Sequence, residues 1–302
     1  MRGDVDTRVP RRAHVRLGLG LLLAVTSVLG LLSACAPQPT QPGGGGPSAV
    51  CDGGPEDPSG GSVNATTYGA GFFNYATIYP ACATTARGTV MYVHGGSYTS
   101  GSRFDAGWPP IQELRRHGWV VVSIDYALSP VAKWPDHVDD VRTAITWWRT
   151  NGAAQYSAPV WPLVGVGWSA GAQLVEWANL EDSGPHFDAA VSISGATYWP
   201  DRATSEAAVN LFGPVIIQDP ALLVQASTLT HLDPADAPVL HVHAKNDGVV
   251  SVNQAILLRD AIASGRGDPV RHQVVLDPDC GHSPACLTPE LLDSYLASLP
   301  GF

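Results

Sequence analysis

Apolar residues in this chain fall into short continuous runs, and segments with helical periodicity separate several of these runs. Strands that are buried on both faces of a parallel sheet have such nearly all-apolar sequences. The predicted strands are TVMYVH (89–94), WVVVSID (119–125), PLVGVG (162–167), AAVSIS (189–194), PVLHVH (238–243) and HQVVL (272–276). The predicted helices occupy residues 136–151, 170–180, 252–265 and 288–299, and Thr288 would cap the last of them. This alternation predicts an α/β fold with a mostly parallel central sheet and helices on both faces.

One long connection, residues 196–236, interrupts the alternation and has a mostly irregular pattern. Connections of this length in a compact domain usually have a functional role. We therefore expect a lid-like insertion that forms part of a pocket wall. The alternative is an ordinary surface excursion that carries one or two helices.

Composition and charge limit the number of domains and the kinds of partner. The chain has 302 residues, of which 45% are hydrophobic and 15% charged, so one large core is possible. Residues 51–302 show no change of composition that would indicate a second domain. The formal net charge of −10 repels phosphate backbones and argues against a nucleic-acid partner.

Residues 1–34 have the features of an export signal: a basic start, the apolar run LGLGLLLAVTSVLGLL, and small residues before a cysteine. The sequence LSAC, which ends at Cys35, resembles the lipobox of bacterial lipoproteins, in which the cysteine is lipidated. A transmembrane anchor is the alternative, but a span needs roughly 20 apolar residues and this run is shorter. We expect an extracytoplasmic protein that is lipid-anchored to the bacterial cell membrane and has no other membrane contact. Whether export follows the Sec or the twin-arginine route stays open.

Residues 35–50 are rich in proline and glycine and should form a disordered tether after the lipidated cysteine. Four further cysteines, in a chain bound for an oxidising compartment, indicate two disulfides. The most local of the three possible pairings is Cys51–Cys82 with Cys280–Cys286. A zinc site is disfavoured because no CxxC spacing is present.

A candidate nucleophile lies in the sequence Gly-Trp-Ser-Ala-Gly, residues 167–171. The serine, Ser169, falls between a predicted strand and a predicted helix, which is the context of a nucleophile elbow. A glycine two residues away on either side avoids the collisions that side chains would cause in so tight a turn. We therefore predict that Ser169 is a nucleophile.

The base and the acid of a serine nucleophile should follow it in the order acid, then histidine, on loops after later strands. Among the later histidines, only His282 lies in a loop just beyond the last predicted strand. Asp247 follows the strand 238–243 and is the predicted acid, which would hold the imidazole in the productive tautomer. Asp277 and Asp279 are alternatives that lie closer to the histidine in sequence.

Two other histidines, His241 and His243, alternate within a predicted strand and should share one face. This spacing invites a metal-site interpretation. Core or pocket-edge positions explain it better, so no metal site is predicted.

A glycine turn in YVHGGSYTSGS follows directly after the strand 89–94. Its amides, together with the amide of Ala170, can converge on the carbonyl oxygen of an acyl substrate. Each such donor contributes roughly 3 kcal/mol of transition-state stabilisation.

Taken together, these motifs resemble those of serine esterases with the α/β-hydrolase fold, near the hormone-sensitive-lipase-like carboxylesterases and the bacterial feruloyl or acetyl esterases. The resemblance spans approximately residues 72–299. The matching motifs are HGG (94–96), DYALSPVAKWPDHVDDVRTAITWW from Asp125, the elbow (167–171), KNDGVV (245–250) and GHS (281–283). The resemblance implies an α/β-hydrolase domain over residues 51–302 and no cofactor. It also implies oxyanion donors at the amides of Gly96, Ser97 and Ala170.

We therefore expect a serine hydrolase that cleaves small carboxylic esters through an acyl-enzyme. The alternatives are an amidase, a peptidase or a polymer esterase with the same triad, and a non-catalytic binding protein on the same fold. Four aromatic residues near the site, which could equally be packing residues, indicate an apolar or aryl ligand: Tyr98, Trp108, Trp168 and Trp199. Of these, Tyr98, Trp168 and Trp199 are the predicted substrate-binding residues.

Overall fold

An eight-stranded sheet lies at the centre of the fold. The computed structural model describes residues 64–214, 219–277 and 279–302. The strand order is β1-β2-β4-β3-β5-β6-β7-β8, and β2 is the strand that runs against the others. The strands are β1 (Asn64–Thr67), β2 (Tyr75–Tyr79), β3 (Gly88–Val93), β4 (Trp119–Ile124), β5 (Leu163–Trp168), β6 (Ala189–Ile193), β7 (Val239–Ala244) and β8 (His272–Asp277).

The six predicted strands are confirmed as β3 to β8, with ends that differ by one residue at most. The pairs from β4 across to β8 are parallel, and strands β3, β4, β6 and β7 are buried along their whole length. Strands β1 and β2 were not predicted. Their sequences, NATT and YATIY, contain no continuous apolar run and so give no strand signal.

Helices cover both faces of the sheet, as predicted. They are α1 (Pro109–Arg116), α2 (Asp136–Trp147), α3 (Ala153–Gln155), α4 (Ala170–Leu180), α5 (Glu206–Phe212), α6 (Pro220–Gln225), α7 (Thr228–His231), α8 (Asn253–Ala261) and α9 (Pro289–Ser298). Buried side chains of α2, α4 and α8 pack in one apolar core, whereas those of α1 and α9 pack in a second core. These two cores give the α/β-hydrolase architecture that the sequence predicted.

Helix ends follow the capping residues of the sequence. Thr288 caps α9, because its hydroxyl accepts a hydrogen bond from the amide of Leu291. Helix α1 was not predicted. It is eight residues long and begins with two prolines, and Ile111 and Leu114 bury its apolar side.

The insertion 196–236 is more helical than the sequence indicated. It contains a 3₁₀ turn (Pro200–Arg202) followed by α5, α6 and α7. The expectation of a mostly irregular segment was therefore wrong, because helices of four to seven residues are too short to give a periodic signal. Side-chain caps from Ser205 and Asp219 begin α5 and α6.

The predicted signal peptide (1–34), the lipidation site Cys35, the tether (35–50) and Cys51 lie outside the described residues. In the described part of the chain, no helix combines the length and the hydropathy needed to cross a membrane.

Candidate active site

A strained turn between β5 and α4 presents Ser169. Its φ of 54° and ψ of −112° lie outside the regions that non-glycine residues favour. A Cβ atom on Gly167 would lie 2.2 Å from the carbonyl oxygen of Gly171, and a Cβ on Gly171 would lie 2.1 Å from that of Val93. Both glycines are therefore required for so tight a turn, as the sequence predicted.

The structure brings Ser169, His282 and Asp247 together at the carboxyl end of the sheet. Ser169 Oγ lies 3.0 Å from His282 Nε2, and His282 Nδ1 lies 2.8 Å from Asp247 Oδ2. The three residues follow β5, β8 and β7, where loops of an open α/β sheet converge. The alternative acid Asp277 instead accepts the amides of Asp279 and Cys280 within its own turn.

The Asp247 side chain is buried and remains ionised. Burial alone would raise its pKa, but the hydrogen bonds from His282 and from the amides of Val249 and Val250 outweigh burial and hold the pKa well below its usual value. The carboxylate can therefore accept a hydrogen bond from His282 Nδ1 at neutral pH. This hydrogen bond leaves His282 Nε2 free to take a proton from Ser169.

The loop that carries His282 is closed by a disulfide between Cys280 and Cys286, whose Cα atoms are 5.2 Å apart. This predicted pair is present. The same loop is tied to the acid loop, because the amide of Gly281 donates to Asn246 Oδ1 at 3.0 Å. Cys82 is also disulfide-bonded, and its predicted partner lies outside the described residues.

The predicted oxyanion donors lie beside Ser169. The turn after β3 has positive φ angles at Gly96 (107°) and Ser97 (51°). Within the described residues, the amides of Gly96 and Ser97 have no hydrogen-bond acceptor. Ala170 is the first residue of α4, where an amide has no intrahelical partner. Ser97 and Ala170 line the cavity next to Ser169, whereas Gly96 stands one residue back in the turn.

A cavity of about 240 Å³ opens beside Ser169. The predicted residues Tyr98 and Trp199 both line it, and their rings are 6.2 Å apart. Trp168 is not among its lining residues. The Trp168 ring packs 5.4 Å from the ring of His282 and 5.0 Å from the partly exposed ring of Trp108, so it contacts His282 and not the cavity.

The insertion supplies a polar side of the cavity that the sequence did not reveal. Arg202, Ser205 and Glu206 line it from the turn before α5 and from the start of that helix. Arg202 Nε is buried there without a hydrogen-bond partner among the described residues. The position of the insertion in the chain indicated a pocket wall, but no motif indicated which of its residues would face the nucleophile.

His241 and His243 are fully buried on one face of β7, with their rings stacked 5.5 Å apart. The shared face was predicted. The sequence did not reveal their neighbour Glu176 of α4, which lies 2.7 Å from His241 Nδ1. No group of three or more metal-ligating side chains occurs within residues 64–214, 219–277 and 279–302.

Residues 77–262, more than half of the chain, match the model of the BD-FAE family. The chain belongs to this family. Ser169 and Asp247 lie within the residues that match the BD-FAE model, and His282 lies beyond them.

Two curated relatives of this BD-FAE chain come from Mycobacterium tuberculosis. Esterase LipC is 32% identical over 185 residues, which are 55% of this chain and 46% of LipC. The probable carboxylic ester hydrolase LipM is 29% identical over 200 residues, 60% of this chain and 46% of LipM. The match thus spans about half the length of each relative.

Solved structures share the fold at lower identity. A truncated carbohydrate esterase from gut microbiota superposes with a TM-score of 0.67 and 20% identity, over 78% of this chain and 95% of that protein. The propionate-bound esterase Est2 of Thermogutta terrifontis gives 0.62 and 19%, over 79% and 94%. Both likenesses establish the α/β-hydrolase fold.

Proposed function

We propose that this protein is a serine hydrolase that cleaves carboxylic esters through an acyl-enzyme. The observation that carries the proposal is the hydrogen-bonded row from Ser169 through His282 to the ionised Asp247, on a strained elbow at the mouth of a cavity. Membership of the BD-FAE family and the names of LipC and LipM support ester chemistry.

In the proposed mechanism, His282 Nε2 takes the hydroxyl proton as Ser169 Oγ attacks the ester carbonyl carbon. The carbonyl oxygen becomes an oxyanion, which the amides of Ser97 and Ala170, with that of Gly96, would stabilise. The intermediate collapses, His282 returns the proton to the departing alcohol, and the acyl group stays on Ser169. Water, deprotonated by the same imidazole, then attacks the acyl carbon; the bond to Ser169 Oγ breaks, His282 returns the proton to that oxygen, and the acid is released.

The cavity favours a short acyl group. Its volume of about 240 Å³ is below the range of about 300–1,000 Å³ that drug-sized ligands occupy, and a cavity of about 150 Å³ is enough for benzene. The rings of Tyr98 and Trp199 supply apolar contact, while Arg202 and Glu206 add polar groups. The expected substrate is therefore a small ester whose acyl group has only a few carbons.

A fluorophosphonate probe and a panel of 4-nitrophenyl esters test this function. The probe should label Ser169 in the unaltered protein and should not label the Ser169→Ala variant. The value of kcat/KM should fall at least about tenfold from butyrate to octanoate, because the longer chain exceeds the cavity. A protein that neither reacts with the probe nor hydrolyses any ester of the panel would exclude a serine esterase and favour a binding protein. A protein that reacts with the probe but cleaves amides faster than esters would be an amidase.

We also propose that the mature protein is lipid-anchored at Cys35 on the outer side of a bacterial membrane. The support is the sequence of the first 35 residues: a basic start, an apolar run and the lipobox-like LSAC. A single acyl chain gives only marginal anchoring, and the lipoprotein modification would supply more than one.

A further inference from the structure

A second row of buried polar side chains ends at the loop that holds the acid. Glu176 Oε2 lies 2.7 Å from His241 Nδ1, and His241 Nε2 lies 3.2 Å from His243 Nδ1. His243 Nε2 lies 2.9 Å from the carbonyl oxygen of Val250 and 3.5 Å from Asp247 Oδ2. The side chains of Glu176, His241 and His243 are all fully buried. Buried groups of this kind are costly unless each is hydrogen-bonded, so their protons can be assigned from their partners.

The assignment begins at the carbonyl oxygen of Val250, which can only accept. His243 Nε2 must therefore carry a proton and donate it. Burial, and then the neighbouring His241, lower the pKa of His243 to about 4, so the ring is neutral at pH 7 and its Nδ1 is an acceptor. It follows that His241 Nε2 carries a proton and donates it to His243.

One more proton must lie between His241 and Glu176. With Nε2 of His241 already protonated, the 2.7 Å contact between its Nδ1 and Glu176 Oε2 requires a proton shared by the two groups. Burial alone would raise the pKa of Glu176, but the charge and the hydrogen bond of His241 and the hydroxyl of Thr228 outweigh it and lower the pKa. Thr228 Oγ1 donates to Glu176 Oε1 at 2.5 Å. The pair thus shares one proton and has no net charge.

Hydrogen bonds connect this row of side chains to Asp247 through Val250. His243 holds the carbonyl oxygen of Val250, and the amide of Val250 donates to Asp247 Oδ1 at 2.9 Å. The His243 Nε2 proton also faces Asp247 Oδ2, the oxygen atom that accepts from His282. A shift of the Val250 peptide would therefore move the carboxylate away from His282.

We infer that Glu176, His241 and His243 are positioning residues, which fix the acid loop through one fully assigned row of hydrogen bonds. This inference rests on the proposed function, since Asp247 matters to the reaction only if Ser169 is the nucleophile. None of the three residues lines the cavity, so they act through Asp247 and not on the substrate.

The kinetic experiment compares His243→Leu with His243→Gln on 4-nitrophenyl acetate. Leucine removes the donor to Val250, whereas the amide nitrogen of glutamine reaches about as far as Nε2 and restores it. The kcat of the leucine variant should fall about ten- to a hundredfold with KM unchanged, because a displacement of about 1 Å costs up to about a hundredfold in rate. The glutamine variant should recover kcat to within a few-fold of the unaltered enzyme.

His272→Leu is the matched control. His272 is a buried histidine on the adjacent strand β8, paired with Val239 at the far end of β7. Its replacement should lower the melting temperature and leave kcat unchanged. If His243→Leu keeps kcat within threefold, or if His272→Leu loses kcat as much, the inference is wrong. If the unaltered protein cleaves no ester and does not react with a fluorophosphonate, the proposed function itself fails.

Proton NMR of the full chain tests the assignment without using activity. The shared proton of Glu176 and His241 should give a signal far downfield of the amide region. That signal should persist in His282→Gln and vanish in Glu176→Gln, in which the amide can still donate to His241 and accept from Thr228. The experiment stays decisive if His243→Leu does not fold. No such signal in the unaltered protein, or a signal that Glu176→Gln retains, would overturn the assigned row.

Discussion

Replacing Asp247 by asparagine should move the proton of the neutral His282 ring from Nδ1 to Nε2, while the loop keeps its conformation. Asp247 Oδ1 accepts the amides of Val249 and Val250 at 2.8 and 2.9 Å. Only an oxygen atom can take that place, so the carboxamide oxygen of the variant must stay there. Its NH₂ group is then directed to His282 Nδ1, which the carboxylate contacts at 2.8 Å.

The magnitude follows from this orientation. An NH₂ donor makes His282 Nδ1 an acceptor, so the neutral ring must carry its proton on Nε2, the atom that lies 3.0 Å from Ser169 Oγ. The imidazole then has no lone pair with which to take the hydroxyl proton. The same exchange in a serine-protease triad costs about 10⁴ in kcat, and we expect the same loss here, about 5.4 kcal/mol of barrier.

The assay is steady-state hydrolysis of 4-nitrophenyl acetate, with kcat and KM measured separately. KM should stay within about threefold, because Asp247 does not line the cavity and ground-state binding is retained. Asp279→Asn is the control, since this exposed carboxylate neighbours the base loop and should leave kcat within about twofold. Asp247→Asn with more than a tenth of the original kcat, combined with a large loss in Asp279→Asn, would refute the assignment of the acid.

Three further predictions concern other parts of the chain. Ser169→Ala should lose several orders of magnitude in kcat and keep its far-UV circular dichroism, because triad members act as a unit. The double variant Cys280→Ser/Cys286→Ser should have a larger effect on kcat than on the melting temperature, because closing a seven-residue loop stabilises the fold by only about 2.4 kcal/mol. An unchanged kcat would contradict this prediction. Cys35→Ala should move the protein from the membrane to the soluble fraction, and mass spectrometry that finds an unmodified native N-terminus would exclude the anchor.

The sequence was sufficient to predict strands β3 to β8 and to select the three side chains that the structure brings together. Strands β3 to β7 are buried almost throughout, so their apolar runs stand out from the surrounding chain. Loops at the carboxyl ends of adjacent parallel strands converge, and the order of the strands was therefore enough to select Asp247 and His282 from other carboxylates and histidines. Strands β1 and β2 contain no continuous apolar run, and their place depends on the pairing of β2 with β4 and of β1 with β2.

The remaining features depend on packing that no local pattern records. Glu176 and His241 are 65 residues apart in the sequence. Their contact requires α4 to pack on the face of the sheet to which His241 points, rotated so that Glu176 faces that histidine. The same holds for Arg202 and Glu206, which face the cavity because the short helices of the insertion fold back over it. Trp168 was predicted as a cavity residue because it precedes Ser169, and this prediction was wrong. Side chains alternate between the two faces along β5, and the Trp168 ring faces His282.

The three residues of the proposed triad are held by restraints of different kinds. Ser169 is fixed by backbone packing at Gly167 and Gly171, where no side chain would fit. Asp247 is fixed by two amides and the buried row behind Val250. The loop of His282 is closed by the Cys280–Cys286 bond and tied to Asn246 through the amide of Gly281, and the imidazole itself contacts Asp247. In the proposed mechanism His282 acts in both the acylation and the deacylation step, so a displacement of its loop by about 1 Å should lower kcat by up to about a hundredfold.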